Sequence, residues 1–202
     1  MRKLVLLAPL CAFLFFAQFA SAQQVDVFLG GGTITSSGSC NDASGLCPEK
    51  GGLYINLGGD GVFYKQIGVN VETAWRATQG TNADFASQDA NYRPILTDFN
   101  LLYQPRLGKR LGADLMAGIG SADTRTYEQG VSCSGCFDSS DHFMEHLAGG
   151  IRFYVWKHAF VRPEVHYYHI QNNNNVINNG YFNSNNVVRV GASIGYTFGG
   201  KD

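Results

Sequence analysis

Eight stretches of period-two alternation, an export signal ahead of them and connections that alternate between long and short predict an all-β chain. The expected architecture is an eight-stranded antiparallel up-and-down barrel that crosses a membrane with its strands. The last stretch is the cleanest, with Val188, Val190, Ala192, Ile194, Tyr196 and Phe198 set against Arg189, Gly191, Ser193, Gly195 and Thr197. Successive side chains of a strand point to opposite faces, so such a segment offers one face to an apolar phase and the other to a crowded polar one.

The amino terminus has the three-part layout of a secretory signal: Arg2 and Lys3, an apolar run from Leu4 to Ala17, and the small-x-small site Ala20-Ser21-Ala22. The run is shorter than the roughly 20 residues a spanning helix needs, so cleavage after Ala22 is expected. Cys11 follows Pro9-Leu10 rather than a small residue, which argues against lipid attachment. The remaining chain of roughly 180 residues suits one domain, residues 23–202. Without Arg2 and Lys3, 13 basic residues oppose 16 acidic ones, a formal charge of −3. No basic stripe remains to attract nucleic acid.

The strand candidates are 24–34, 52–60, 67–77, 93–104, 111–121, 143–155, 160–170 and 187–198. In the third, Ile67, Val69, Val71, Thr73 and Trp75 oppose Gly68, Asn70, Glu72, Ala74 and Arg76. In the fifth, Leu111, Ala113, Leu115, Ala117 and Ile119 oppose Gly112, Asp114, Met116, Gly118 and Gly120. Connections 35–51, 78–92, 122–142 and 171–186 are long and polar, whereas 61–66, 105–110 and 156–159 are short. This is the rhythm of a membrane meander with short periplasmic turns and long outer loops. An even strand number returns both ends of the barrel domain to the periplasmic side. Only closure satisfies the strand edges in lipid.

A soluble barrel with an apolar cavity alternates in the same way, so the weaker face decides. It is largely Gly, Ala, Ser and Asn with scattered ions, as a crowded lumen requires, rather than the Lys, Glu and Thr of a solvated exterior. Phe63, Tyr64, Tyr103, Tyr154, Trp156, Tyr167 and Tyr196 fall near strand ends, where aromatic girdles form at the lipid interfaces. Pro163 cannot donate to a ladder and is expected near the periplasmic rim. Glu145 shares parity with Leu147 and Ile151, so it is expected above the membrane.

The inward faces carry Asp26, Glu72, Asp98, Asp114 and Glu164 with Arg76, Arg152, Arg162 and Arg189. Five acids and four bases nearly balance. Because eight strands enclose just enough room for side chains, and buried charges persist only when paired, a salt-bridged plug is expected. The rival is a narrow ion path lined by the same residues. Cys40, Cys47, Cys133 and Cys136 lie in polar segments beyond an oxidising boundary, so disulfides are expected, with three connectivities open. A zinc site is the alternative, but C-x-x-C and C-x6-C do not repeat the paired spacing of a four-cysteine zinc ribbon. Residues 171–186, with nine asparagines beside Tyr181 and Phe182, form a solvated loop or, on the sharper reading, an adhesive one.

Placed in this order, the chain resembles the small eight-stranded OmpA-like and opacity-type outer-membrane barrels over its whole mature length. The carrying features are Ala20-Ser21-Ala22, the strand Gly68–Arg76 and the closing strand Val190–Phe198. The resemblance implies an integral protein of the outer membrane, in contact with its lipid and expected as a monomer, with any extracellular ligand met by the four long loops. In that group the closing strand ends on an aromatic residue, whereas here Gly199-Gly200-Lys201-Asp202 follow Phe198. No periplasmic peptidoglycan-binding domain is expected, and cell-wall tethering is not implied.

Lipid A deacylases among such barrels set a His and a Ser two residues apart on one strand. Here Glu164, His166, His169, Gln171 and Asn172 share a region, but Gln171 stands where the Ser belongs and Tyr168 follows His166 at the same spacing. A nucleophile has to lie within reach of its base, and no Ser is near. His142, Glu145 and His146 do not match the helical zinc-protease spacing either. On a strand, positions four apart lie about 13 Å from each other. No catalytic residue, metal or cofactor is therefore expected.

Overall fold

The computed structural model describes residues 24–36, 51–82, 90–127, 137–171 and 186–199. The strands are β1 (Gln24–Ser36), β2 (Tyr54–Tyr64), β3 (Ile67–Arg76), β4 (Gly80–Asn82), β5 (Ala90–Tyr103), β6 (Leu111–Tyr127), β7 (Phe137–Tyr154), β8 (Ala159–Ile170) and β9 (Asn186–Gly199). Neighbours run antiparallel in the order β3-β2-β1-β9-β8-β7-β6-β5, and a β3–β5 ladder from Ile67↔Tyr103 to Trp75↔Ile95 closes the ring. The three-residue β4 lies along the same edge of β5 just beyond β3. Eight long strands thus satisfy one another's backbone with no open edge at membrane depth.

The alternation decides which side meets lipid. Leu101 is 67% and Ile194 63% exposed, whereas Glu72 and Arg189 are 1% exposed. Val27, Leu29, Leu57, Val71, Leu115, Ile119, Leu147 and Val165 are outward as well. A continuous apolar band of this kind belongs in hydrocarbon, because water would penalise it heavily. The rival reading, a soluble barrel with an inward apolar cavity, is overturned.

At the end with the short turns, Phe63, Tyr64, Tyr103, Phe153, Trp156, Tyr196 and Phe198 face out as one girdle. Tyr154 departs from the expected girdle. It has inward parity, packs edge-on against Phe160 at 6.0 Å and accepts a 3.4 Å hydrogen bond from Arg152 Nη1. The expected 61–66 connection shrinks to Lys65 and Gln66, with Lys65 in left-handed backbone at φ 53°.

The strands also run further outward than expected. β6 reaches Tyr127 and β7 starts at Phe137, so both enter the expected 122–142 loop. Above the lipid neither face must be apolar, which erases the sequence signal while the ladder continues from Ser121↔Phe143 to Tyr127↔Phe137.

Pro163 lies four residues into β8 on the outer face. The β7–β8 ladder stops at Gly150↔Glu164 and resumes at Phe153↔Val161, and the gap falls at the residue without an N–H. Glu145 is outward and exposed, opposite Ile119 and His169. Nine residues above Tyr154 on a strand tilted by about 40°, it stands about 23 Å up, at the outer limit of an apolar band about 25 Å tall.

Candidate functional site

Inward parity brings charges from all eight long strands into the lumen. Arg152 (β7), Arg162 (β8) and Arg189 (β9) are the largest fully buried side chains of the described residues. Arg152 bonds Asp26 through Nη1, and its Nη2 lies 3.1 Å from Asp60 Oδ2 and 2.9 Å from Asp114 Oδ2. Arg162 reaches the same two oxygens at 3.3 and 3.1 Å and binds Glu164 Oε2 through Nε at 2.7 Å. Arg189 Nη2 bonds Glu72 and lies 3.8 Å from Glu164 Oε1. Guanidinium is suited to this role because its planar fork serves several carboxylates at once without losing its charge. Each partner is needed, since an uncompensated buried ion costs several kcal/mol.

Two rings complete the arginine layer. Arg162 lies over the Phe28 ring at 4.0 Å and Arg152 over Phe160 at 4.1 Å. Both rings need glycine opposite: a Cβ on Gly58 would sit 2.4 Å from Phe28 Cζ, and one on Gly195 would sit 2.3 Å from Phe160 Cζ. Glycine on the lumen face therefore makes room for the aromatic half of each cation–π pair.

A second element is a hydrogen-bond chain whose direction chemistry dictates. Arg189 Nη2 can only donate, so His166 Nε2, 2.8 Å away, accepts. His166 then carries its proton on Nδ1 and donates to His146 Nε2 at 3.0 Å. His146 in turn donates from Nδ1 to Asn100 Oδ1 at 2.7 Å. Asn100 Nδ2 donates to Asn70 Oδ1 at 2.7 Å and to Asp98 Oδ1 at 2.5 Å, and Asn70 Nδ2 donates to Asp60 Oδ1 at 2.6 Å. A donor-only group at one end and carboxylates at the other set every intervening tautomer and amide. Asp60 closes the circuit, because its other oxygen belongs to Arg152 and Arg162.

The lumen is capped by apolar layers. Ile34, Tyr54, Leu96, Ala122, Met144, Tyr168, Ile170 and Val187 cluster at the outer end, drawn from seven of the eight long strands. Tyr168 joins this layer to the polar one by stacking on His146 at 4.6 Å. Val62, Leu102 and Met116 cluster at the periplasmic end. There Gln24 Nε2 donates to Gln104 Oε1 at 2.8 Å and to both oxygens of Asp26.

Of the residues the sequence assigns to the lumen, Asp26, Glu72, Asp98, Asp114, Arg152, Arg162, Glu164 and Arg189 are at most 3% exposed. Arg76 differs: it is half-buried at the outer end of β3, with its guanidinium against Gly52, where a Cβ would come within 2.7 Å of Nε. Asp60 was missed, although parity with Asn56 and Gly58 on β2 points to it. With Asp60 there are six lumen acids, and the axial arginines are three, so the near-balance expected from sequence does not hold there. His146, which the sequence sets aside as not matching a zinc-protease spacing, is central to the chain, and its parity with Met144 and Ala148 is the signal that places it inward. Cys40, Cys47, Cys133 and Cys136 lie outside the described residues.

Two groupings among the described residues bear on catalysis and metal binding. Glu164 and His166 point inward while His169 points outward, where its Nδ1 lies 3.0 Å from Asn186 Oδ1. The apparent deacylase-like grouping is therefore split across the barrel wall. Glu72, Glu164 and His166 bring ligand atoms within 4.8 Å of one another, the spacing of a metal site. The cation serving them is the Arg189 guanidinium, bonded to Glu72 and to His166.

Comparison with known proteins agrees with this geometry. Among solved structures the chain is similar to Ail, the attachment invasion locus protein of Yersinia pestis, at 14% identity and a TM-score of 0.53 over 88% of this chain and 99% of that one. Neisserial surface protein A matches at 13% identity and 0.54 over 87% and 96%. OprG from Pseudomonas aeruginosa matches at 16% identity and 0.51 over 89% and 98%. These likenesses establish the shared barrel fold. No curated protein matches the sequence. The family model described as the outer membrane protein beta-barrel domain matches residues 6–198, and the chain accordingly belongs to that family as an integral outer-membrane protein.

Proposed function

We propose that this protein is a closed, non-conducting barrel that holds recognition loops at the cell surface without catalysing a reaction. The observation that carries this reading is the filled lumen: a paired ionic layer between an outer apolar layer and a periplasmic one. A path for hydrated ions would have to break both. Residues 1–22 serve as the export signal, the mature chain works as a monomer in outer-membrane lipid, and segments 35–51, 78–92, 122–142 and 171–186 meet any extracellular ligand. The lumen set Asp26, Glu72, Asp98, Asp114, Arg152, Arg162, Glu164 and Arg189 then serves stability rather than transport.

Planar-bilayer recording tests the closed state directly. Wild-type protein is expected to leave the bilayer at its baseline, and large stable openings would overturn the reading. For catalysis, the lipid A of cells expressing the protein is expected to have an unaltered mass profile. A deacylated species that disappears with His169→Ala would replace this proposal with the enzyme.

A further inference from the structure

The three short turns carry five basic residues and no acidic one. They are Lys65 between β2 and β3, Arg106, Lys109 and Arg110 between β5 and β6, and Lys157 between β7 and β8, and all five are exposed. Among the described residues none of them forms an ion pair; Lys65 Nζ lies 5.3 Å over the Tyr64 ring and the Arg106 guanidinium 5.9 Å over that of Tyr154. Beyond Gly199 the sequence adds one base and one acid, Lys201 and Asp202, which cancel. The four long connecting segments have the opposite sign, with eight Asp or Glu against Lys50 and Arg125. Charge is therefore separated along the barrel axis, and the turn end is the positive one.

These turns make one continuous rim. Gln104 N donates to Gln66 O at 2.7 Å, Tyr154 N to Arg110 O at 3.0 Å and Thr197 N to His158 O at 2.8 Å, so each turn is tied to the next strand around the ring. Exposed apolar side chains share the rim with the cations. Lys65 follows Tyr64, Arg106 precedes Leu107, and Lys157 follows Trp156, which is 79% exposed. A soluble acidic polymer would need the cations alone. Ammonium and guanidinium groups set beside exposed Trp, Tyr and Leu are instead the pattern of a surface that meets headgroups and hydrocarbon together. Each Lys or Arg at such a surface adds to its attraction for lipids of net negative charge.

We propose that this rim recruits anionic phospholipids from the periplasmic leaflet, with Lys65, Arg106, Lys109, Arg110 and Lys157 drawing the charged headgroups and Tyr64, Leu107 and Trp156 meeting the hydrocarbon beside them. The turn backbones fix the cations in place before any lipid arrives. The proposal uses the outer-membrane location but not the closed lumen, so a conducting barrel would leave it standing.

The test reconstitutes the full chain in phosphatidylcholine bilayers and uses electron spin resonance to compare spin-labelled phosphatidylglycerol with spin-labelled phosphatidylcholine in the shell touching the protein. Wild type is expected to prefer phosphatidylglycerol about threefold at low ionic strength and to lose the preference in about 1 M salt. Replacing all five cations by Gln is expected to abolish it, whereas exchanging Lys for Arg and Arg for Lys at the same positions is expected to keep it. Arg125→Gln, at the far end of the barrel, is expected to leave it unchanged. Gel mobility before and after boiling verifies folding; if the five-Gln variant does not fold, Arg106→Gln with Lys109→Gln and Arg110→Gln takes its place, and half or more of the preference is expected to go. Equal preference in wild type and the folded Gln variant, a preference unmoved by salt, or one lost with Arg125→Gln would each overturn the proposal. No lipid preference, together with cation-dependent sedimentation on purified peptidoglycan, would give the rim to a wall polymer and likewise overturn it.

Discussion

The middle of the lumen and its outer end are built on the same strands with the same parity, yet their chemistry is opposite. The middle, farthest from bulk water, holds three arginines and six acids, and the mouth, nearest to it, holds Ile34, Leu96, Met144, Ile170 and Val187. An ionic layer sealed from water interacts strongly within itself and exacts a heavy penalty when one member is lost. An apolar layer contributes less per residue but keeps the ions from being hydrated. The two regions therefore differ in how much a single substitution should cost, and that ranking can be measured by urea unfolding of the folded barrel in lipid.

The largest effect is expected at Arg162. Replacement by Met leaves Asp60, Asp114 and Glu164 short of a cation, and a loss of about 3–5 kcal/mol is expected. A loss below about 1 kcal/mol would mean that water already reaches the layer. In the apolar mouth, Leu96→Ala removes buried volume and is expected to cost about 2–4 kcal/mol with m-value unchanged. If Leu96→Ala proves costlier than Arg162→Met, the contrast between the regions fails. On the lipid face, Leu115→Arg is expected to cost about 2–4 kcal/mol while Glu145→Leu is neutral or slightly stabilising, because only the first is at membrane depth.

How far this contrast was legible beforehand depends on the direction in which information runs. Alternation along one strand places Glu72, Asp114 and Arg189 inside and Val71, Leu115 and Ile194 outside, because each strand reports its own parity. Contacts between strands are silent in a single sequence. Nothing in the segment around Gly58 announces that its missing Cβ makes room for Phe28, or that Gly195 does so for Phe160. Asp60 was passed over because Gly59 and Gly61 flank it and make a strand interior resemble a turn. The outer halves of β6 and β7 read as loop because Thr124, Arg125, Ser139 and Asp141 sit above the lipid, where polarity on both faces is permitted.

Smaller effects sharpen the account of the polar chain. His146→Phe keeps the ring stacked on Tyr168 but removes an acceptor for His166 and a donor for Asn100, so a loss of about 1–3 kcal/mol is expected. Nitrogen NMR is expected to find both His146 and His166 protonated on Nδ1. An Nε2-protonated form of either would break the proposed direction. At Lys65, glycine relieves left-handed strain but loosens the unfolded chain, so Lys65→Gly is expected to change stability by less than about 1 kcal/mol.

The most direct test of the inside-out polarity is a set of nuclear Overhauser contacts between lipid acyl protons and protein methyl groups in nanodiscs. Strong contacts are expected to Val71, Leu115 and Ile194 and none to Met116, Leu102 or Met144. Acyl contacts at the second set with none at the first would contradict the architecture on which the filled lumen rests.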